Sequence, residues 1–144
     1  MKLTNNEYNK LVQDKSPKSP LWRNILLSFL IGGAICAIGQ GIKNLFLNNG
    51  LDMEKAGLAT SVTMVFLGAL LTALNLYDKL AKLGGAGTLV PITGFANAVT
   101  APAMEFKYEG IITGVCAKMF TIAGPVIVYS MISSVIYGIV LLFV

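Results

Sequence analysis

Residues Leu83 to Met104 read LGGAGTLVPITGFANAVTAPAM and carry no charge. About 20 apolar residues rising roughly 1.5 Å each cross a hydrocarbon core of about 30 Å, so the stretch is long enough to span a bilayer. As one continuous helix it is poor. Gly84, Gly85, Gly87 and Gly94 each cost roughly 1 kcal/mol against alanine, and Pro91 costs about 3. Non-helical backbone at membrane depth is tolerated only where protein buries it or where it lines a water-filled cavity. The chain must therefore fold so that other segments shelter a broken element, and that element is the expected functional centre.

The sheltering segments are apolar too. Of 144 residues, 55% are apolar and 12% charged, about half the charged share of an ordinary soluble domain. Uncharged runs cover Asn24–Ile42, Ala56–Tyr77, Leu83–Met104 and Met119–Val144. They lack the polar faces that a soluble helical bundle needs. The expected fold is an all-α integral membrane protein, with one transmembrane domain over residues 25–144 behind a basic tail, residues 1–24. Spans are expected at about 25–47, 56–77 and 110–144, the last kinked near Pro125. The broken element, 83–104, either crosses or re-enters.

In the tail, Thr4-Asn5-Asn6-Glu7 has capping-box spacing and predicts a short helix from Asn5. Tyr8, Leu11 and Val12 share a face of it, suited to a cytosolic partner or the lipid surface; the alternative is a merely solvated helix. Ser16-Pro17-Lys18-Ser19-Pro20 ends the helix. Lys2, Lys10, Lys15, Lys18 and Arg23 outnumber Glu7 and Asp14. By the positive-inside tendency the tail is cytoplasmic, with Trp22 at the interface. That tendency accounts for the charge without a nucleic-acid partner. The tail is polar for too long to be a secretory signal, so the first apolar run is expected to stay as a span. Asp78, Lys79 and Lys82 should return the chain to the inner side. The acidic balance of Glu105, Lys107 and Glu109 favours the outer side, and hence a crossing.

Catalytic chemistry finds no support. There is no histidine, the commonest general base and metal ligand. No nucleophile elbow, HExxH motif or pair of intramembrane carboxylates occurs, and the reading calls for no enzyme, no cofactor and no bound metal. Cys36 and Cys116 lie in apolar segments without a CxxC pair and read as small core residues. In the broken element, Gly84-Gly85-Ala86-Gly87 offers free backbone N–H groups that attract anions. Pro91 is expected to end one half-segment and Thr93-Gly94 to begin the next. Thr93, Asn97 and Thr100 then line up at i, i+4 and i+7, a polar stripe suited to a ligand or ion path. The alternative is a tightly packed hairpin whose glycines only permit close contact. Gln40 either bonds a neighbouring helix or faces a pore. Lys118 should face a polar interior, pair with a carboxylate or snorkel. Small residues recur at Gly33, Ala37 and Gly41, at Gly68 and Thr72, at Gly110 and Gly114, and at Ser130, Ser134 and Gly138, as helix-packing or assembly faces.

Three pieces of sequence, in this order, resemble the SpoVA family of endospore-forming bacteria. They are Ile31-Gly32-Gly33-Ala34-Ile35-Cys36-Ala37-Ile38-Gly39-Gln40, Leu76-Tyr77-Asp78-Lys79, and Gly84-Gly85-Ala86-Gly87 with Val90-Pro91-Ile92-Thr93-Gly94-Phe95-Ala96-Asn97. The tail, with its Ser-Pro-Lys-Ser-Pro connector, is similar to the AC branch of the family; the AE branch (AEb form) starts almost directly at the first span. The resemblance implies a place in the spore inner membrane and a cargo, dipicolinic acid as its calcium chelate, taken into the forespore and released at germination. It also implies a channel-forming, mechanosensitive subunit. Its implied partners are membrane lipid, an AE-like membrane subunit and a soluble, dipicolinate-binding AD-like subunit, in an oligomer. The competing readings are a secondary transporter for a small organic anion and a non-conducting scaffold subunit. The resemblance supplies no transport residues, so the site residues above rest on this sequence alone.

Overall fold

Thr4 opens the first helix as the capping box predicts. Its N–H and hydroxyl both donate to the Glu7 carboxylate, at 2.9 and 2.8 Å, and α1 runs Asn5–Lys15. This computed structural model describes residues 4–16 and 19–143. Lys2, Pro17, Lys18 and Val144, which figure in the expectations above, lie outside them. Tyr8, Leu11 and Val12 are exposed along α1.

α2 (Leu21–Asn48) and α3 (Met53–Ala73) pack as an antiparallel pair about the turn at Asn49–Gly50. Each is long and apolar enough to cross a membrane, and so is Ile111–Leu141. This last helix starts as π-helix over Ile111–Cys116 and continues as α6 (Ala117–Leu141). The described residues contain no strand. The chain is an all-α membrane protein, as its composition requires.

Between α3 and α6 lies the broken element, in three pieces: α4 (Tyr77–Gly84), a 3₁₀ turn (Gly85–Thr88) and α5 (Pro91–Glu105). It starts at Tyr77, earlier than the expected Leu83, because α3 stops at Ala73 and Asn75 turns the chain with φ +56°. Pro91 begins a helix instead of ending one. At the first helical position its missing N–H costs nothing and its fixed φ is already helical. α5 then holds over 15 residues, with Gly94 and Pro102 inside it, because packing along α3 outweighs weak intrinsic propensity.

Two contacts set the direction of α5. Gly68 of α3 lies against Thr93 and Ala96, and Thr72, one turn on, meets Asn97, one turn on. Advancing along α3 thus advances along α5, and the two helices are parallel. α5 returns to the end of the bundle where α2 starts and α3 finishes, the tail end. Asp78, Glu105 and Lys107 accordingly line one pocket there. The charge balance of residues 105–109 pointed to the opposite end. A few exposed charges are outweighed by the packing of a whole helix.

α6 runs through Pro125 as one helix, and a π-helical turn precedes it at 111–116. Two further expectations are corrected. Gly110 has φ +100° and sits in the turn before the helix. It therefore makes no helical face with Gly114, which seats against the Phe106 carbonyl. Cys36 and Cys116 are exposed. In a membrane bundle the outer surface is itself apolar, so a small apolar residue has no need of the core. Among the described residues the buried apolar ones are Ile35, Ala56, Met64, Tyr77, Ala96 and Ala103; Ile35, Met64 and Tyr77 meet where the broken element adjoins α2 and α3.

Candidate functional site: the broken element and its seat

The broken element sits on α2 through Ser28, Ile31 and Gly32. Gly87 comes so close that a Cβ there would collide with the Ser28 backbone. A Cβ on Gly32 would lie 3.0 Å from the Gly87 carbonyl oxygen, and one on Gly84 2.9 Å from Ile31. Ser28 Oγ donates to the Gly84 carbonyl at 2.8 Å. Gly85 turns the chain with φ +48°. On the other side of the turn, a Cβ on Gly94 would lie 3.0 Å from the Thr88 carbonyl oxygen. Within one chain these glycines are used for close packing, the alternative that the sequence left open.

Tyr77 ties the pieces together. It is 3% exposed. Its hydroxyl donates to the Thr88 carbonyl at 2.7 Å and lies 3.3 Å from Thr93 Oγ1. Thr88 Oγ1 donates to the Gly85 carbonyl at 2.8 Å. One phenol therefore joins the start of α4, the end of the 3₁₀ turn and the first turn of α5. Thr88 and Thr93 are buried beside it.

Of the expected polar stripe, Thr93 and Asn97 are set against α3; Thr100 is half-buried on the same helix. Thr72 Oγ1 lies 2.7 Å from the Gly68 carbonyl oxygen and 2.9 Å from Asn97 Oδ1, and its single proton serves both. The Asn97 amide N–H groups make no hydrogen bond among the described residues. Asn97 lines a tail-end pocket of about 380 Å³, whose walls continue through Asn75, Asp78, Ala101, Glu105 and Lys107. A second recess, of about 520 Å³, lies across α4 and includes Asn24, Ser28, Lys82, Gly85 and Ala86. The exposed ion pair Asp78–Lys82, 2.8 Å, runs along α4 between the two.

Gln40 and Lys118 are not brought to this site. Gln40 Nε2 donates to Asn44 Oδ1 at 2.9 Å on its own helix and is exposed. Lys118 Nζ stands 3.8 Å from the centroid of the Phe106 ring, a cation–π contact at the tail end. The predicted faces at Gly33, Ala37 and Gly41 and at Ser130, Ser134 and Gly138 have no partner among the described residues. A Cβ on Gly33, Gly41 or Gly138 meets nothing within 4 Å, and Ala37 and Ser134 are exposed. Ser130 Oγ turns back to the Val126 carbonyl at 2.7 Å. The sequence reading missed Ser28, Tyr77 and Thr88 as working residues. Their signal is weak, a hydroxyl within or beside an apolar run, and only the fold shows what each one reaches.

The architecture is that of a polytopic helical membrane protein with a glycine-packed hairpin that enters and leaves its bundle at one end. The family model for the SpoVAC/SpoVAEB sporulation membrane protein matches residues 24–140. Stage V sporulation protein AC of Bacillus subtilis (strain 168) is 42% identical over 134 residues, which cover 92% of this chain and 89% of that one. The chain belongs to the SpoVAC/SpoVAEB family of sporulation membrane proteins. No solved structure matches it.

Proposed function

We propose that this chain is a channel subunit of the spore inner membrane, moving dipicolinic acid as its calcium chelate into the forespore and out again at germination. The parallel packing of α5 on α3 carries the reading, because it makes the broken element re-entrant. Gly87 at the tip sits against Ser28 and Gly32 of α2, which starts at Leu21, so the tip reaches roughly 10–16 Å into the bundle at 1.5 Å per residue. Non-helical backbone at that depth needs shelter or a watered path. The Asn97 amide and the Thr93 hydroxyl put neutral groups beside it. Neutral groups suit the passage of a dicarboxylate, whereas a cluster of fixed cations would hold it too tightly for rapid flux. An element tied down by a few hydrogen bonds also suits opening by membrane tension.

Three spans are thin for a pore that passes a chelate. The exposed faces at Gly33, Ala37 and Gly41 and at Ser130, Ser134 and Gly138 are suited to assembly with an AE-like subunit or with further copies. The cytoplasm is the proposed side of the tail end, where a soluble AD-like subunit has access. Arg23, Lys79, Lys82, Lys107 and Lys118 lie toward that end, against Lys43 and Lys55 toward the other.

The test is efflux of calcium dipicolinate from proteoliposomes, with and without the AE-like partner. Asn97→Leu and Thr93→Val should lower flux while the protein still purifies and inserts. Wild-type flux in both variants would remove the path from this element. Lys118→Met should leave flux intact; a loss would favour an ion-coupled transporter.

A further inference from the structure

A lateral groove between α2 and α3 has a use that the proposed path does not give it. It encloses about 330 Å³ and is walled by Ile31, Ala34, Ile35 and Ile38 of α2, Met64, Leu67, Gly68, Leu70 and Leu71 of α3, and Tyr77, Leu80 and Thr93 of the broken element. No polar atom is exposed in its wall. The two hydroxyls that could have supplied one are turned toward each other and toward the Thr88 carbonyl. They leave an aromatic ring and a methyl group facing the groove.

Water is a poor occupant, since an apolar cavity without two or more polar partners stays dry. The groove is also continuous with the outer surface of the bundle. Ala34, Ile38, Leu70 and Leu71 in its wall are exposed, while Ile35, Met64, Tyr77 and Thr93 behind them are buried. That outer surface belongs to two helices apolar and long enough to cross a membrane, so the medium at its mouth is the hydrocarbon of the bilayer. The volume corresponds to on the order of ten groups of roughly 30 Å³ each, the share of one water in the liquid and close to that of a methylene. We infer that the groove is a binding site for one acyl chain of a membrane lipid, whose end rests against the Tyr77 ring. The lipid then touches the residue that holds both limbs of the hairpin together.

The experiment uses the full chain in nanodiscs of phosphatidylcholine and phosphatidylglycerol. A trace of phosphatidylcholine carries a diazirine in its acyl chain. After irradiation, adducts are mapped by peptide mass spectrometry. The expected result is labelling of the recessed residues Ile35, Met64 and Leu67 as well as of the outer α6 residues Val128 and Ile132. Ala34→Trp fills the mouth of the groove from an exposed position and should abolish the recessed adducts while the α6 adducts persist. Those α6 adducts also show that the variant is folded and inserted. Recessed adducts that survive Ala34→Trp would overturn the site. So would label confined to outer residues in the wild type, whether the groove is closed by a second copy of the chain or left empty.

Discussion

At the scale of single residues, the glycines divide by what surrounds them. Gly87 is pressed onto the backbone of Ser28, whereas Gly33, on the opposite flank of α2's Gly32-Gly33 pair, has nothing within 4 Å of a Cβ. Backbone cannot yield as a flexible side chain can. Gly87→Ala should therefore cost at least the roughly 1–3 kcal/mol typical of overpacking. Gly33→Ala should be neutral or stabilise by up to about 1 kcal/mol through helix propensity. Thermal unfolding in one detergent compares the two; equal midpoints would mean that Gly87 is not a packing contact. Tyr77 makes the matching prediction for polar groups. Tyr77→Phe keeps the ring in its buried place but strips the Thr88 carbonyl of its 2.7 Å donor. An orphaned buried acceptor costs about 1–3 kcal/mol, so a lowered midpoint with unchanged helix content is expected. A midpoint equal to that of the wild type would show that the hydroxyl holds nothing.

At the scale of elements, α1 shows how a local code becomes a pH-dependent structure. The hydrogen bonds from the Thr4 N–H, chiefly, and from its hydroxyl hold the Glu7 carboxyl below its ordinary value of 4.5. A depressed folded value means that the ionised form is the one favoured by the helix. Its contribution is full above the ordinary value and is lost as pH falls through the lower, folded value. Amide exchange at Asn6–Tyr8 in the intact protein should accelerate, relative to α3, as pH drops below 4.5. Glu7→Gln should remove that pH dependence. The start of α1 was legible in the sequence because a capping box needs only four neighbouring residues. The three long apolar helices were legible because composition alone requires them. The interior of the broken element was not. Counting glycines and prolines gives the intrinsic cost of a helix. It omits the packing of α5 along Gly68 and Thr72 and the start that Pro91 provides. That Thr93 and Asn97 share a face was readable from their i, i+4 spacing, and the structure sets both against α3. The role of Tyr77 was not readable, because its partners come from elements joined only by the fold.

At the scale of the whole molecule, the parallel course of α3 and α5 decides the topology. A crossing element would put residues 105–109 with the Asn49–Gly50 turn, and α6 would then end on the side of the tail. A re-entrant element puts Lys107 on the side of Ser19 and sends α6 to the side of Asn49. The register of Gly68 on Thr93 and Thr72 on Asn97, with Asp78, Glu105 and Lys107 around one pocket, requires the second arrangement. Both native cysteines are exposed and can be replaced by serine or alanine to give a silent background. Single cysteines at Ser19, Asn49, Lys107 and Leu142 can then be probed in sealed, oriented vesicles with a membrane-impermeant maleimide. Ser19→Cys and Lys107→Cys should label from one side, and Asn49→Cys and Leu142→Cys from the other. The discriminating pair is Lys107→Cys and Asn49→Cys: if they label together, α5 crosses and its parallel packing is wrong. The same pair bears on function, because only a re-entrant element puts the Asn97 pocket and the start of α2 at one membrane face. A ligand entering from the tail side then meets Asn97 before the glycine turn, and Asn97→Leu should impair loading from that side first.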